Sequence, residues 1–192
     1  LGEGWKADLV IACARVLQQD GRWAEARRRA RDLLVDVPRA RASACALLAE
    51  CAQEALQSAR ESCGIAPADI AGVTTTSLRL GTVLLDRREQ EIYCGPNMDG
   101  RGFAGALSIL EKLDRETIVG ITGHWPPFLS SAARLVAYSR TEGAREPAWA
   151  LSLADWLAFR LSGEIVAEPS NSGETFFLHV TARRWSGEML AA

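Results

Sequence analysis

The sequence predicts an α/β fold. Two stretches, Ser43 to Ser62 and Ser152 to Gly163, carry apolar residues at helical spacing. Between them lie short β-branched or apolar runs of strand length: Ile70 to Thr76, Thr82 to Asp86 and Glu91 to Cys94. Stop and turn residues, notably Gly64, Arg87 to Gln90 and Gly163, fall at the joints. Helices that flank a run of strands in this way bury their apolar stripes on a sheet, which is the layered arrangement of an α/β domain.

The 192 residues suffice for one domain with its own core, or for one lobe of a larger protein. An apolar share of 48% beside 24% charged residues fits a globular chain, and a net charge of −2 gives no general attraction to nucleic acid or an anionic membrane. No apolar run approaches the roughly 20 residues of a membrane span. Cys13, Cys45, Cys51, Cys63 and Cys94 are odd in number and contain no Cys-x-x-Cys pair. That argues against a disulfide framework or a zinc site and for a reducing cytoplasm. Leu1 opens the chain with neither an initiator methionine nor a signal-peptide pattern, as a trimmed start or an incomplete reading of the gene would.

Taken in order, Asp8 to Leu17 is apolar enough for a buried strand or a helix, and periodicity leaves both open. Gln18-Gln19-Asp20-Gly21 supplies an Asp-Gly turn. The arginine-rich segment Arg22 to Arg41 reads either as a phosphate-contacting patch or as a solvated helix face. The second is favoured, because Ala24 to Ala30 is a good helix former and only Trp23 is interleaved for base stacking. In the helix from Ser43 to Ser62, Ala44, Leu47, Leu48, Cys51, Leu56 and Ala59 share a stripe, with Ser43 as cap and Gly64 as stop. Ile65 to Asp69 is a short connection. Gly102 to Leu113 makes a further helix with Leu107, Ile109, Leu110 and Leu113 as its apolar positions.

Near the C-terminus, Ser152 caps a helix with Asp155 three residues on, and Leu153, Trp156, Leu157 and Leu161 form its apolar face. Gly163 is its left-handed stop. Glu164 to Ala167 follows as a strand candidate and Pro169 to Gly173 as a polar turn. In that turn Ser170 and Asn171 either decorate the surface or offer donors and acceptors to a polyhydroxylated ligand. His124, alone in a Trp-Pro-Pro loop with no nucleophile motif beside it, reads as a packed or solvated side chain, and His179 as strand-borne.

The block Asp155-Trp156-Leu157-Ala158-Phe159-Arg160-Leu161-Ser162-Gly163-Glu164, followed by Glu168-Pro169-Ser170-Asn171-Ser172-Gly173, resembles the "D-W/Y-L-x-x-x-L-T/S-G-E … D-x-S-N-A-S/G" signature of the FGGY carbohydrate kinases. Autoinducer-sugar kinases and xylulokinases are its nearest flavours. Ser77-Leu78-Arg79-Leu80-Gly81 is similar to the family's "S-M-R-E-G", with Leu80 for a polar residue. Asn97-Met98-Asp99-Gly100-Arg101 is similar to "W-x-D-x-R", with Asn97 for Trp. Arg134 falls at a basic position of the next family helix, and Thr181 and Trp185 close the resemblance.

The resemblance implies a ribonuclease-H-like (actin-like ATPase) lobe with a mixed central sheet flanked by helices. The whole of 1–192 would form one N-terminal, sugar-binding lobe with an atypical start over 1–20. It implies substrate contacts from Arg79, Asp99, Arg101, Ser170 and Asn171. Arginine suits hydroxyl recognition through its planar fork of donors, Asp99 can accept two hydroxyl protons, and Arg101 would orient Asp99. A sugar or polyol is the implied ligand, with ATP and Mg2+ as cofactors and a C-terminal nucleotide lobe as partner; no metal site, nucleic acid or membrane is implied. The family's opening Asp has no counterpart in Leu1 to Gly4, and its general-base Asp comes later in the pattern than Ala192. No catalytic residue is therefore assigned here, and the lobe is expected to be inactive alone. A non-catalytic relative that binds sugar or a protein stays open as the alternative.

Overall fold

A computed structural model describes residues 52–97 and 99–192. They fall into two compact units, one with 52–76 and Leu157–Glu164, the other with Ser77–Trp156 and Ile165–Ala192.

In the first unit, residues 52–63 form α1, which Gly64 ends at φ 65°, a left-handed conformation that glycine adopts without a Cβ clash. Of the expected stripe, Leu56 is half-buried and Ala59 exposed. Ser43, the rest of that stripe, Asp8 to Leu17, the turn at Gln18 to Gly21 and the segment Arg22 to Arg41 lie outside the described residues. Pro67–Asp69 is a single 3-10 turn in which Asp69 Oδ2 accepts from the Ala66 N–H at 3.2 Å. Residues 70–76 were expected to form a strand and do not. A strand needs a ladder, no described segment pairs with this one, and most of its residues are exposed, so β-branched composition alone does not make it a strand.

The second unit is built on a three-stranded sheet. Its central strand, β1 (Thr82–Leu85), is buried at every position; β2 (Glu91–Gly95) and β3 (Trp149–Ser152) flank it. The turn between β1 and β2 is set by Asp86, whose Oδ1 accepts from the N–H groups of Arg88 (2.8 Å) and Gln90 (3.0 Å) while Glu89 takes a positive φ. Leu84 pairs with Tyr93 on one side and Ala150 on the other. Both pairings are antiparallel, so the sheet expected to be mixed is antiparallel over the described strands. β3 was not anticipated, because the following cap at Ser152 dominates the local pattern.

Helices α2 (Phe103–Lys112), α3 (Arg115–Thr122) and α4 (Ser131–Ser139) build the core of this unit. Asp114 and Ser130 cap the last two by accepting from the N–H groups of Thr117 (2.7 Å) and Ala133 (3.1 Å). Ala106, Ile109, Ile118, Ile121, Ala132, Ala133, Phe176, Phe177 and Met189 form one buried cluster. On α2 the inward face is Gly105, Ala106, Ser108 and Ile109, while Leu107, expected inside, is 46% exposed. Small residues face α4 because the two backbones touch: a Cβ on Gly105 would lie 1.9 Å from the Ala133 carbonyl oxygen.

α5 (Leu153–Ser162) starts as the sequence predicts. Ser152 Oγ accepts from the Asp155 N–H at 3.0 Å and donates to Asp155 Oδ2 at 2.7 Å. Trp156 is fully buried, and its Nε1 donates to Glu91 Oε1 at 3.0 Å. Ala154 and Phe159 are buried too, whereas Leu153, Leu157 and Leu161 are half-buried. Gly163 is left-handed at φ 78°, as expected. Glu164 to Ala167 makes no ladder, again for want of a partner strand among the described residues. Pro169 to Gly173 is not a turn but the body of α6 (Pro169–Glu174): proline is pre-set for a first helical turn, and Glu168 caps it by accepting from the N–H groups of Ser170 (3.0 Å) and Asn171 (2.9 Å). A two-stranded ribbon, β4 (Leu178–His179) and β5 (Arg184–Trp185), and α7 (Gly187–Ala191) complete the unit, with His179 strand-borne as expected. No described helix is long and apolar enough to cross a membrane.

Candidate functional site

The loop Ser77 to Gly81, which enters β1, is the focus of the polar architecture. Leu80 sits at φ 61°, an unfavourable conformation for a leucine, so something must hold it. Arg134 does so. Its side chain is 1% exposed; Nη1 donates to the Leu80 carbonyl and to Thr82 Oγ1 (3.1 Å), and Nη2 donates to the Asn97 carbonyl (3.1 Å). Thr82 Oγ1 lies 2.8 Å from Ser131 Oγ, which ties the start of β1 to the start of α4. One guanidinium thus fixes the Arg79 loop to the turn that leads to Asp99.

Asp99 and Arg101 come together as expected, in a buried cluster with Tyr93. Asp99 is 7% exposed; Oδ1 accepts from the Arg101 N–H (3.0 Å) and Nε (2.8 Å), and Oδ2 from Tyr93 Oη (2.6 Å). Arg101 Nη2 also pairs with Asp99 Oδ2, and the guanidinium lies 4.6 Å from the centre of the Tyr93 ring. Burial pushes the Asp99 carboxyl upward in pKa, but the hydrogen bonds from Arg101 and Tyr93 outweigh it and hold it below the usual carboxylate range. Burial drives the Tyr93 phenol far above its ordinary value, so it stays a donor.

A pH dependence follows. A carboxyl whose pKa is lower in the folded chain adds stability that is complete above the unfolded value, about 4, and is lost as pH falls through the folded value. We expect urea midpoints between pH 7 and pH 2 to fall more steeply for the wild type than for Asp99→Asn. Parallel curves would show that the Asp99 pairs contribute nothing.

Arg79 points elsewhere, to a cavity of about 270 Å³ lined by Arg79, Leu80, His124, Trp125, Glu174 and Phe176, with Pro126, Phe128, Leu129 and Ser130. Arg79 Nε donates to Glu174 Oε1 at 2.5 Å; Arg79 is 73% exposed and Glu174 16%. Arg115 lies 5.8 Å from the centre of the Trp125 ring, and His124 is tilted against Phe176 at 6.0 Å. Donors, an acceptor and ring faces around a small hollow are the equipment for a compact polar ligand. Ser170 and Asn171 sit at the other end of α6 and do not line this cavity; Ser170 Oγ donates to Glu168 Oε2 at 2.5 Å. Asp99 and Arg101 do not line it either. The sequence reading did not single out Glu174, whose partner is 95 residues away, and read His124 as a packed or solvated side chain; neither has a local signal beyond a charged or aromatic residue next to a glycine or proline.

The sequence pattern of the FGGY family of carbohydrate kinases, N-terminal domain, matches residues 13–192. The chain belongs to that family. Among relatives of this FGGY chain, an autoinducer-2 kinase of Escherichia coli is 36% identical over 150 residues, covering 75% of the chain and 27% of the relative. An autoinducer-2 kinase of Klebsiella pneumoniae is 33% identical over 149 residues, again 75% of the chain and 27% of the relative. The chain therefore spans only about a quarter of the length of these relatives. Among solved structures, a xylulose-type kinase from Brucella ovis superposes with a TM-score of 0.62 at 26% identity over 77% of this chain and 31% of its own. The FGGY chain accordingly has the ribonuclease-H-like, actin-like ATPase fold of these sugar kinases.

Proposed function

We propose that this chain is the substrate-binding lobe of an ATP-dependent kinase that phosphorylates a hydroxyl of a sugar or polyol. The observation that carries the reading is the Arg79 cavity: a guanidinium, a carboxylate and the Trp125 ring converge on a hollow sized for a small molecule. The matching relatives, named as autoinducer-2 kinases, suggest an autoinducer-type sugar or a pentulose as the substrate class. Arg79 is the direct hydroxyl contact. Asp99 and Arg101, together with Ser170 and Asn171, remain candidates for further contacts. The Asp99 oxygens already accept from Tyr93 and Arg101, so Arg101, 38% exposed, is the more available of that pair.

ATP and Mg2+ belong to the proposal through the family. Among the described residues no group of three or more His, Cys, Asp or Glu side chains is suited to a metal ion, so no step of phosphoryl transfer is assigned to them. A second lobe supplies the nucleotide site and the base, and the lobe alone is inactive. A reducing cytoplasm fits Cys63 and Cys94, both free thiols, the first of them exposed.

The test is calorimetric titration of the chain with D-xylulose, D-ribulose, glycerol and an autoinducer-type sugar. We expect at least one to bind, and Arg79→Ala to weaken it about tenfold or more, the loss of a hydrogen bond from a charged donor. Failure of a folded sample to bind any of the panel would sink the sugar reading.

A further inference from the structure

Building on the sugar-binding reading, we infer that Glu174 is a specificity-determining residue of the Arg79 cavity, accepting a substrate hydroxyl beside the one that Arg79 donates to. The contact between the two side chains is single: Arg79 Nε meets one carboxylate oxygen. Among the described residues neither side chain makes another hydrogen bond or ion pair, so Arg79 keeps both Nη groups as donors and Glu174 keeps Oε2 as an acceptor. A donor and an acceptor held side by side match two adjacent hydroxyls, one accepting and one donating. The match depends on where each hydroxyl points, and so it separates epimers.

The pairing is poorly explained as a structural device. An ion pair with one partner 73% exposed contributes little to stability, because water screens it and ordering the arginine costs entropy. Glu174 is nevertheless well placed: it is the last residue of α6, whose first turn is fixed by the Glu168 cap, and it is only 16% exposed. Trp125 and Phe176 add apolar surface to the cavity lining, and Leu80 offers no competing side-chain acceptor at the loop. The orienting charge in this cavity therefore comes from Glu174 and Arg79 together. Without its carboxylate partner, the Arg79 side chain is free to swing into solvent.

The experiment compares the full chain with Glu174→Ala and Glu174→Gln by calorimetric titration against D-xylulose and D-ribulose, which differ in the direction of one hydroxyl. Glu174→Ala is expected to melt at the wild-type temperature, to bind the preferred pentulose about tenfold more weakly, and to level the affinity ratio between the two epimers. Glu174→Gln keeps an acceptor oxygen but not the charge, and is expected to retain part of the ratio. If alanine does not fold, the glutamine variant carries the test. Wild-type affinity and an unchanged ratio in either folded variant, with Arg79→Ala still defective, would overturn the role of Glu174 and leave the sugar site standing. A wild-type chain that binds neither pentulose nor any other panel sugar overturns both.

Discussion

Replacing Arg134 with methionine is expected to remove about 3–5 kcal/mol of stability, as several buried acceptors lose their charged donor at once. Methionine fills much of the volume, so the loss isolates hydrogen bonding from packing. Two carbonyls, of Leu80 and Asn97, and the Thr82 hydroxyl lose their donor at once. Each polar group left unsatisfied in the interior costs about 1–3 kcal/mol. Opposing this is the cost of keeping the guanidinium dry: burial pulls its pKa below the ordinary value, and its Nε is buried without a partner. The three good contacts outweigh that one defect. Urea unfolding gives the difference directly. Arg134→Lys, which restores the charge but not the fork, is expected to recover less than half of it. A loss below about 1 kcal/mol for methionine would mean that water reaches the abandoned acceptors.

Trp156→Ala is the second large effect, expected at about 3–5 kcal/mol, a major share of the 5–15 kcal/mol that holds a typical domain folded. The indole is wholly buried and its Nε1 donates to Glu91 at the first residue of β2. Alanine leaves a cavity and removes the Nε1 hydrogen bond to Glu91. Trp156→Phe, which keeps a six-membered aromatic ring but loses the pyrrole part and its N–H, is expected to cost less than half as much in the same thermal and urea unfolding measurements. Equal losses for the two variants would assign the effect to the hydrogen bond rather than to packing.

Much of this architecture was legible because it is local. Ser152, Asp155 and Gly163 announce the start and stop of α5 within a dozen residues, and the hairpin from Thr82 to Gly95 follows from apolar runs around a polar turn. What escaped is governed by partners distant in sequence. Residues 70–76 have strand composition, but a strand exists only where another segment pairs with it. β3 was hidden for the converse reason: only the unpaired edge of β1 makes Trp149 to Ser152 a strand. The polar turn at Pro169 became a helix through the Glu168 cap.

The candidate site divides the same way. Arg79, Asp99 and Arg101 were singled out through motif resemblance, yet the structure separates them into an open cavity and a closed cluster. Glu174 and Arg134 act across the fold, and nothing in their immediate neighbours marks them. Arg134 was visible only as a basic residue on a helix; that it clasps two loops needs three dimensions to see.

The bare backbone contact at Gly105 has a consequence for that clasp. Interhelical spacing is set by the side chains at the crossing, and α2 has none there. α4 can therefore lie deep enough for Arg134 to reach the carbonyls of Leu80 and Asn97, with its Cγ running close over Gly102, where a Cβ would lie 3.0 Å away. These two glycines act as a gauge for the depth of the guanidinium. A single methyl group at the helix crossing would lift the fulcrum on which the Arg79 loop rests. The placement of the Arg79 loop is thus calibrated from a position outside the cavity that the loop borders.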